Sequence, residues 1–247
     1  MTAQEKLQET WNHCLGIYGE QCVALTLHGS QNYNCNLPDS DVDAKLFIVP
    51  SLDDIIFYKQ PESKTIAGPY GDINVTDIRF FIDNCLKKQN FNFLECLFTK
   101  YFFVSNEYID LWEELISKRE EIAHYKPDQA VRTMMGQVEN QYGRWGRFDK
   151  KKTLYHMMRI SWAIESYQLG YSFKVGLVPE NLDHIMRVRE GNVSEEDMDY
   201  MFKMFYEHCH YMNKFQYKGP EYPEIEHFMN YITARFVYRA LYEKGVE

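Results

Sequence analysis

Strand-like runs in this chain are confined to its first half. Val23–Leu27, Ala44–Val49, Asp72–Asp77 and Tyr101–Val104 are short apolar or alternating runs bounded by turn residues, the pattern of β-strands. Beyond Asp128 the spacing changes. Gln129–Tyr142, Lys152–Leu169, Ser194–Tyr211 and Glu224–Lys244 repeat apolar residues at helical intervals, punctuated by Gly143, Gly170, Gly191, Pro220 and Pro223. A strand needs a partner strand, so any sheet must be assembled entirely before residue 105. The fold class that follows is α+β: an N-terminal mixed β-sheet with flanking helices, then an α-helical C-terminal half. Pro127 marks the change, and the expected domains are 1–125 and 126–247.

Within the first half, Leu7, Trp11, Cys14, Leu15 and Tyr18 give Gln4–Tyr18 one apolar face, the pattern of an amphipathic helix laid against a sheet. Asp53–Tyr58 reads as a short helix after Pro50. Gln60–Gly71, with two prolines and two glycines, reads as a loop or hairpin. Ile78–Lys88, Phe91–Phe98 and the acidic Tyr108–Tyr125 read as helices.

The densest chemistry lies between the first two strands. The first run ends in Gly29-Ser30, ten residues follow, and Asp41-Val42-Asp43 then stands at the head of the second run. Alternation turns Asp41 and Asp43 the same way and Val42 inward. Adjacent carboxylates repel, and a divalent cation between them removes the repulsion. Oxygen-only ligands suit magnesium or manganese. Gly29 permits a tight turn and close backbone approach. A short helix over Gln31–Cys35 would put the Ser30 N–H and hydroxyl at an anion site. A phosphate there, beside a cation on Asp41 and Asp43, makes the parts of a phosphoryl or nucleotidyl transfer site.

The pattern resembles the nucleotidyltransferase superfamily that includes DNA polymerase beta and the kanamycin nucleotidyltransferases, and most of all its small, stand-alone bacterial and phage members. The resemblance extends through Asp77-Ile-Arg79 and Asn92-Phe-Leu-Glu-Cys-Leu-Phe-Thr99 and covers about the first hundred residues. Many relatives carry glycine or an arginine–glycine pair just after Gly-Ser, where this chain has Gln31-Asn32-Tyr33-Asn34. The resemblance implies a catalytic domain over 1–125 and a helical substrate- or acceptor-binding domain over 126–247. It implies two magnesium (or manganese) ions and a nucleoside triphosphate as substrate. The nucleoside monophosphate would pass to a hydroxyl of an RNA 3′ end, a protein or a small molecule, with release of pyrophosphate.

Such chemistry calls for a third acid. Asp72 shares the wet face of its strand with Asn74 and Thr76. Asp77, at the strand end, has the ordinary role of a helix N-cap, but Asp77-Ile-Arg79 matches the family pattern better. Asp77 is the expected metal ligand beside Asp41 and Asp43, with Asp72 close behind. Lys45 shares a strand face with Asp43 and is a candidate phosphate contact, or simply a lysine on a wet face. His156 and Arg159 share one side of a helix and are candidates to line the cleft and bind nucleotide. Arg144, Arg147, Lys150, Lys151 and Lys152, interleaved with Trp145 and Phe148, form the basic cluster, a phosphate grip or a solvated loop. His208 and His210 are two apart on a helix and point away from each other, which argues against a metal site. Glu95, within Asn92-Phe-Leu-Glu, matches the family pattern, and on an apolar helix its other reading is simply a bond to the fold.

The net charge of −9 argues against a broad basic groove for long nucleic acid. No run of about 18 apolar residues occurs, so no membrane span is expected. The start lacks a charged-then-apolar leader, and six scattered cysteines lack Cys-x-x-Cys. Both lead to the expectation of a cytoplasmic protein with reduced thiols. The alternative to an enzyme is a non-catalytic nucleotide-binding or regulatory partner in a toxin–antitoxin or defence system.

Overall fold

The computed structural model describes residues 1–177 and 182–242. Its first half forms a five-stranded mixed sheet of β1 (Cys22–Leu27), β2 (Ala44–Ile48), β3 (Ser63–Ala67), β4 (Asp72–Asp77) and β5 (Phe102–Val104), in the order β3-β4-β2-β1-β5. β2 and β4 run parallel, with Ala44 opposite Ile73 and Ile48 opposite Asp77; the other pairings are antiparallel. The Gln60–Gly71 stretch is a hairpin arm. Gly68 and Gly71 close its turn, with the Gly68 N–H donating to the Gly71 carbonyl at 2.9 Å.

Strand alternation gives the sheet two different faces. Leu25, Leu27, Ala44, Leu46, Ile73 and Val75 point to α1 (Ala3–Tyr18), whose Leu7, Trp11 and Cys14 close a small core. Thr2 and Glu5 form a capping box that starts α1. The opposite face carries Asp43, Lys45 and Phe47. Phe47 packs against Phe81 with ring centroids 4.1 Å apart and meets Trp112 of α2 (Ile109–Ser117) at 5.3 Å. The expected Tyr108–Tyr125 helix breaks at Lys118 into α2 and a short turn of helix, Arg119–Ala123. The expected helix over Ile78–Lys88 widens along its length, α-helical over Ile78–Phe80 and π-helical over Phe81–Leu86.

The second half has no strand among its described residues; its long helices are α3 (Pro127–Arg144), α4 (Lys150–Gln168), α5 (Leu182–Glu190), α6 (Glu195–Met212) and α7 (Ile225–Tyr242), with a short helix at Phe173–Leu177 and turns between them. Lys244, the expected end of the last helix, lies outside the described residues. α4 is the axis of this half. It packs on α3, α5 and α6, and its Leu154, Met157, Ile160 and Ile164 are almost wholly buried. One hydrophobic cluster runs from Val23 and Phe47 of the sheet through these helices to Phe236 of α7. The architecture is the α+β arrangement expected from the strand distribution. Among the described residues, no helix is long and apolar enough to cross a membrane.

Candidate functional site

β1 ends at Leu27, and the chain turns at Gly29 with φ +73°. Gly29–Tyr33 is a five-residue 3-10 helix, tighter and earlier than the expected helix over Gln31–Cys35. So short a turn offers an anion its separate N–H groups rather than a helix dipole. Asp41 and Asp43 lie in the three residues before β2, flanking the buried Val42. The His28 N–H donates to the Asp43 carbonyl at 2.9 Å, and the Val42 N–H to the Tyr70 carbonyl at 2.8 Å.

The Asp43 carboxylate is enclosed by backbone. A side chain added at Gly29 would stand 3.0 Å from Asp43 Oδ2, and one at Gly71 would stand 3.0 Å from Oδ1 and 2.8 Å from the Val42 carbonyl oxygen. Glycine is the residue that fits at both places. The Asp72 N–H donates to Asp43 Oδ1 at 3.2 Å. Parallel pairing sets Asp72 beside Asp43 across β2 and β4, so three acidic side chains gather at one end of the strand pair. Burial raises the Asp43 pKa above the usual carboxylate range. The Asp72 N–H works against that rise, the charges of Asp41 and Asp72 add to it, and Lys152 opposes it.

The wall facing these carboxylates comes from the helical half. Asp149 caps α4 and accepts the Lys151 and Lys152 N–H groups. His156 follows one turn after Lys152. Burial and the surrounding charges of Arg159, Lys152, Arg144 and Arg189 hold the His156 pKa well below its usual value. No ion pair is formed by Arg144 or Lys152 among the described residues; Arg144 lies over the Phe148 ring at 4.9 Å. Lys150, by contrast, is tied to Asp199 at 2.9 Å and Glu195 at 3.7 Å. The basic cluster is therefore split between a surface ion-pair group and cations around His156. His28, beside the turn, keeps Nδ1 buried and without a hydrogen-bond partner. Burial, and then the charge of Lys45, hold its imidazole pKa well below the usual value.

Three expected site residues lie elsewhere. Asp77 sits five residues along β4 from Asp72, roughly 16 Å at about 3.3 Å per residue. It caps the following helix through the Arg79 N–H at 2.8 Å and holds the Arg79 guanidinium at 2.7 Å. With Arg79, Asp54, Lys59, Glu62 and Lys64 it lines a separate cavity of about 620 Å³. Asp77 is thus no third ligand to a cation on Asp41 and Asp43; its strand-end position commits it to a cap and an ion pair. Lys45 is 5% exposed and donates to the Asn92 carbonyl at 2.6 Å over the Phe93 ring. It shares Asp43's face, but its ammonium is turned to the Asn92 carbonyl and the Phe93 ring. Arg159 is 4% exposed and bonds Glu95 Oε1 at 2.6 Å. Its place is behind the Gly29–Tyr33 turn, not in the cleft. Glu95 is the bond to the fold that its apolar surroundings suggest.

His208 and His210 diverge as their spacing requires, His208 toward Glu165 and His210 toward Glu139. The structure also adds two residues that sequence spacing did not single out. Arg189 of α5 reaches the Cys35 carbonyl and lies over the Tyr155 ring at 4.4 Å. Tyr33 donates its hydroxyl to Glu95. The Leu182, Ile185, Val188 spacing was the signal for α5.

The donor set suits a hard divalent cation. Among the described residues no three His, Cys, Asp or Glu side chains converge into a ready-made metal cage. Magnesium is ordinarily held by one or two carboxylates, with waters and substrate phosphates completing its shell, and Asp41 and Asp43, with Asp72 beside them, supply that much.

No family model and no curated protein matches the chain. Among solved structures, a nucleotidyltransferase-like protein from Exiguobacterium sibiricum aligns over 98% of this chain and 81% of its own, at 10% identity and a TM-score of 0.30.

Proposed function

We propose that this chain is a metal-dependent nucleotidyltransferase that moves a nucleoside monophosphate from a nucleoside triphosphate to a hydroxyl acceptor and releases pyrophosphate. The observation that carries the reading is Asp43. Its carboxylate is held between Gly29 and Gly71, beside Asp41 and Asp72, at the foot of the Gly29–Tyr33 turn and within the field of Lys152. A site that gathers like charges and leaves them unsatisfied is built to be completed by a ligand.

In this reading Asp41 and Asp43 hold the magnesium or manganese, and the bound ions supply charge neutralisation at the reacting phosphate. Gly29 and Ser30 hold the β- and γ-phosphates through N–H groups and the Ser30 hydroxyl. Lys152 and His156, with Arg144, face the same phosphates from the helical half. Asp72 is the third carboxylate, a further ligand or the acceptor of the attacking hydroxyl's proton. The N-terminal half is then the catalytic domain, and the helical half, 126–247, the substrate- and acceptor-binding domain.

The test is label transfer. The protein is incubated with each α-labelled nucleoside triphosphate, magnesium or manganese, and RNA or cell extract, beside an Asp41→Ala/Asp43→Ala control. Label that moves to RNA, protein or a small molecule and vanishes in the control supports the transferase and names the acceptor class. Nucleotide binding without transfer supports instead a nucleotide-binding or regulatory partner.

A further inference from the structure

Behind the Gly29–Tyr33 turn, three side chains from three elements close on one another. Glu95 is 0% exposed, Tyr33 2% and Arg159 4%. Glu95 Oε1 accepts from Arg159 Nη1 at 2.6 Å, and Oε2 accepts from the Tyr33 hydroxyl. The Arg159 guanidinium also stacks on the Tyr33 ring at 3.8 Å. Both carboxylate oxygens are used, and the ion pair joins the sheet half to α4.

A buried ion pair recovers little more than its desolvation cost, and well-packed apolar residues often stabilise a core as well or better. The best-attested use of such a group is to fix register. Arg159 lies on the same side of α4 as His156 and Lys152, three and seven residues earlier. Its bond to Glu95 therefore sets which part of α4 stands over Asp43. The same group fixes the other wall. Tyr33 is the last residue of the turn, and the next, Asn34, has left-handed φ +59°. Its N–H and that of Cys35 both donate to the Ser30 carbonyl, the latter at 3.0 Å. Arg189 then grips the Cys35 carbonyl from α5. The outer side of the turn is held separately, by Asn32 Oδ1 accepting from the Lys100 N–H at 3.1 Å.

We infer that Glu95, Arg159 and Arg189 are positioning residues that bolt the Gly29–Cys35 turn to helices α4 and α5, so that the shape of the Gly29-Ser30 turn depends on the helical half being docked. What the turn holds rests on the function proposed above; how the turn is held does not.

Three variants test the bolt. Tyr33→Phe removes one hydroxyl and keeps the ring and the stack. Arg159→Lys keeps the charge and loses the fork. Arg189→Met frees the Cys35 carbonyl. Hydrogen exchange is followed at the Asn34 and Cys35 amides and, as reference, at the β1 and β2 amides. Nucleotide transfer is measured alongside as kcat and KM. The expected result is exchange about tenfold faster at Asn34 and Cys35, with unchanged exchange in the sheet. The expected loss is mainly in kcat, toward the hundredfold that a misplaced reacting group costs. Tyr33→Phe carries the test if Arg159→Lys does not fold. Wild-type exchange at Asn34 and Cys35 in all three variants overturns the inference, whatever their melting temperatures. Faster local exchange in a protein whose wild type transfers no nucleotide supports the bolt and removes the proposed reaction.

Discussion

β4 carries an aspartate at each end. At one end Asp77 is 8% exposed, gripped by the Arg79 guanidinium and accepting the Arg79 N–H as a helix cap. At the other end Asp72 is exposed, has no ion-pair partner among the described residues, and stands beside Asp43 and Asp41. Both belong to the same strand and both are acids near a motif. The difference is that the first carboxylate has its charge answered by the fold and the second does not. A carboxylate already satisfied has little left to offer a cation, whereas a set of unsatisfied, mutually repelling carboxylates is stabilised by one. The same contrast separates Arg159, answered by Glu95, from Lys152, which has no ion pair among the described residues and whose charge acts on Asp43.

The largest expected effect comes from removing the unsatisfied pair. Asp41→Ala/Asp43→Ala should reduce nucleotide transfer by about a thousandfold or more, read as initial rates of label incorporation, while the protein still folds. The sharpest form of the comparison exchanges the two ends of β4. Asp72→Asn should lower transfer by about a hundredfold with little change in melting. Asp77→Asn should leave transfer within about twofold yet cost about 3 kcal/mol in denaturant unfolding, because it strands the Arg79 guanidinium. The reverse outcome would make Asp77 the functional acid. A smaller effect is expected at the opposite wall. Lys152→Ala should weaken triphosphate binding about fivefold and flatten its salt dependence, by calorimetry at two ionic strengths.

The smallest effect is on stability and follows from Asp43. Its folded pKa is raised, chiefly by burial. The sign is therefore that its stabilising contribution is present below the usual aspartate pKa and is lost as pH rises through the raised value. In metal-free buffer the melting temperature should fall across that window. Asp43→Asn should remove the fall and raise melting at neutral pH by about 2–4 °C. Magnesium with nucleotide should recover the loss in the wild type and not in Asp43→Asn.

The Gln60–Gly71 stretch read as a loop or a hairpin and is a hairpin. The confinement of the sheet to the first half and the Asp72–Asp77 strand were legible because periodicity is local. So was the Gly29 turn, although what approaches Gly29 most closely is Asp43, an approach shared with Gly71. The cap at Asp77 was legible as its ordinary role, since its partner Arg79 is two residues away. The placement of Lys45 and Arg159 was not, because their partners, the Asn92 carbonyl and Glu95, are 47 and 64 residues away in the chain. Sequence spacing gave Lys45 the right face and Arg159 the right helix side. It could not give how deep each lies, since depth is decided by which element covers that face. Arg189 was missed for the same reason, because its partner is a backbone carbonyl 154 residues away.

The most direct test is manganese binding followed by electron paramagnetic resonance, in the presence of a non-hydrolysable nucleoside triphosphate. Wild type, Asp41→Ala/Asp43→Ala and Asp77→Ala are titrated side by side, which needs no knowledge of the acceptor. The account predicts protein-bound manganese in the wild type and in Asp77→Ala, and manganese held only by free nucleotide and water in the double variant. Binding that survives in the double variant, or that is lost in a folded Asp77→Ala protein, would contradict it.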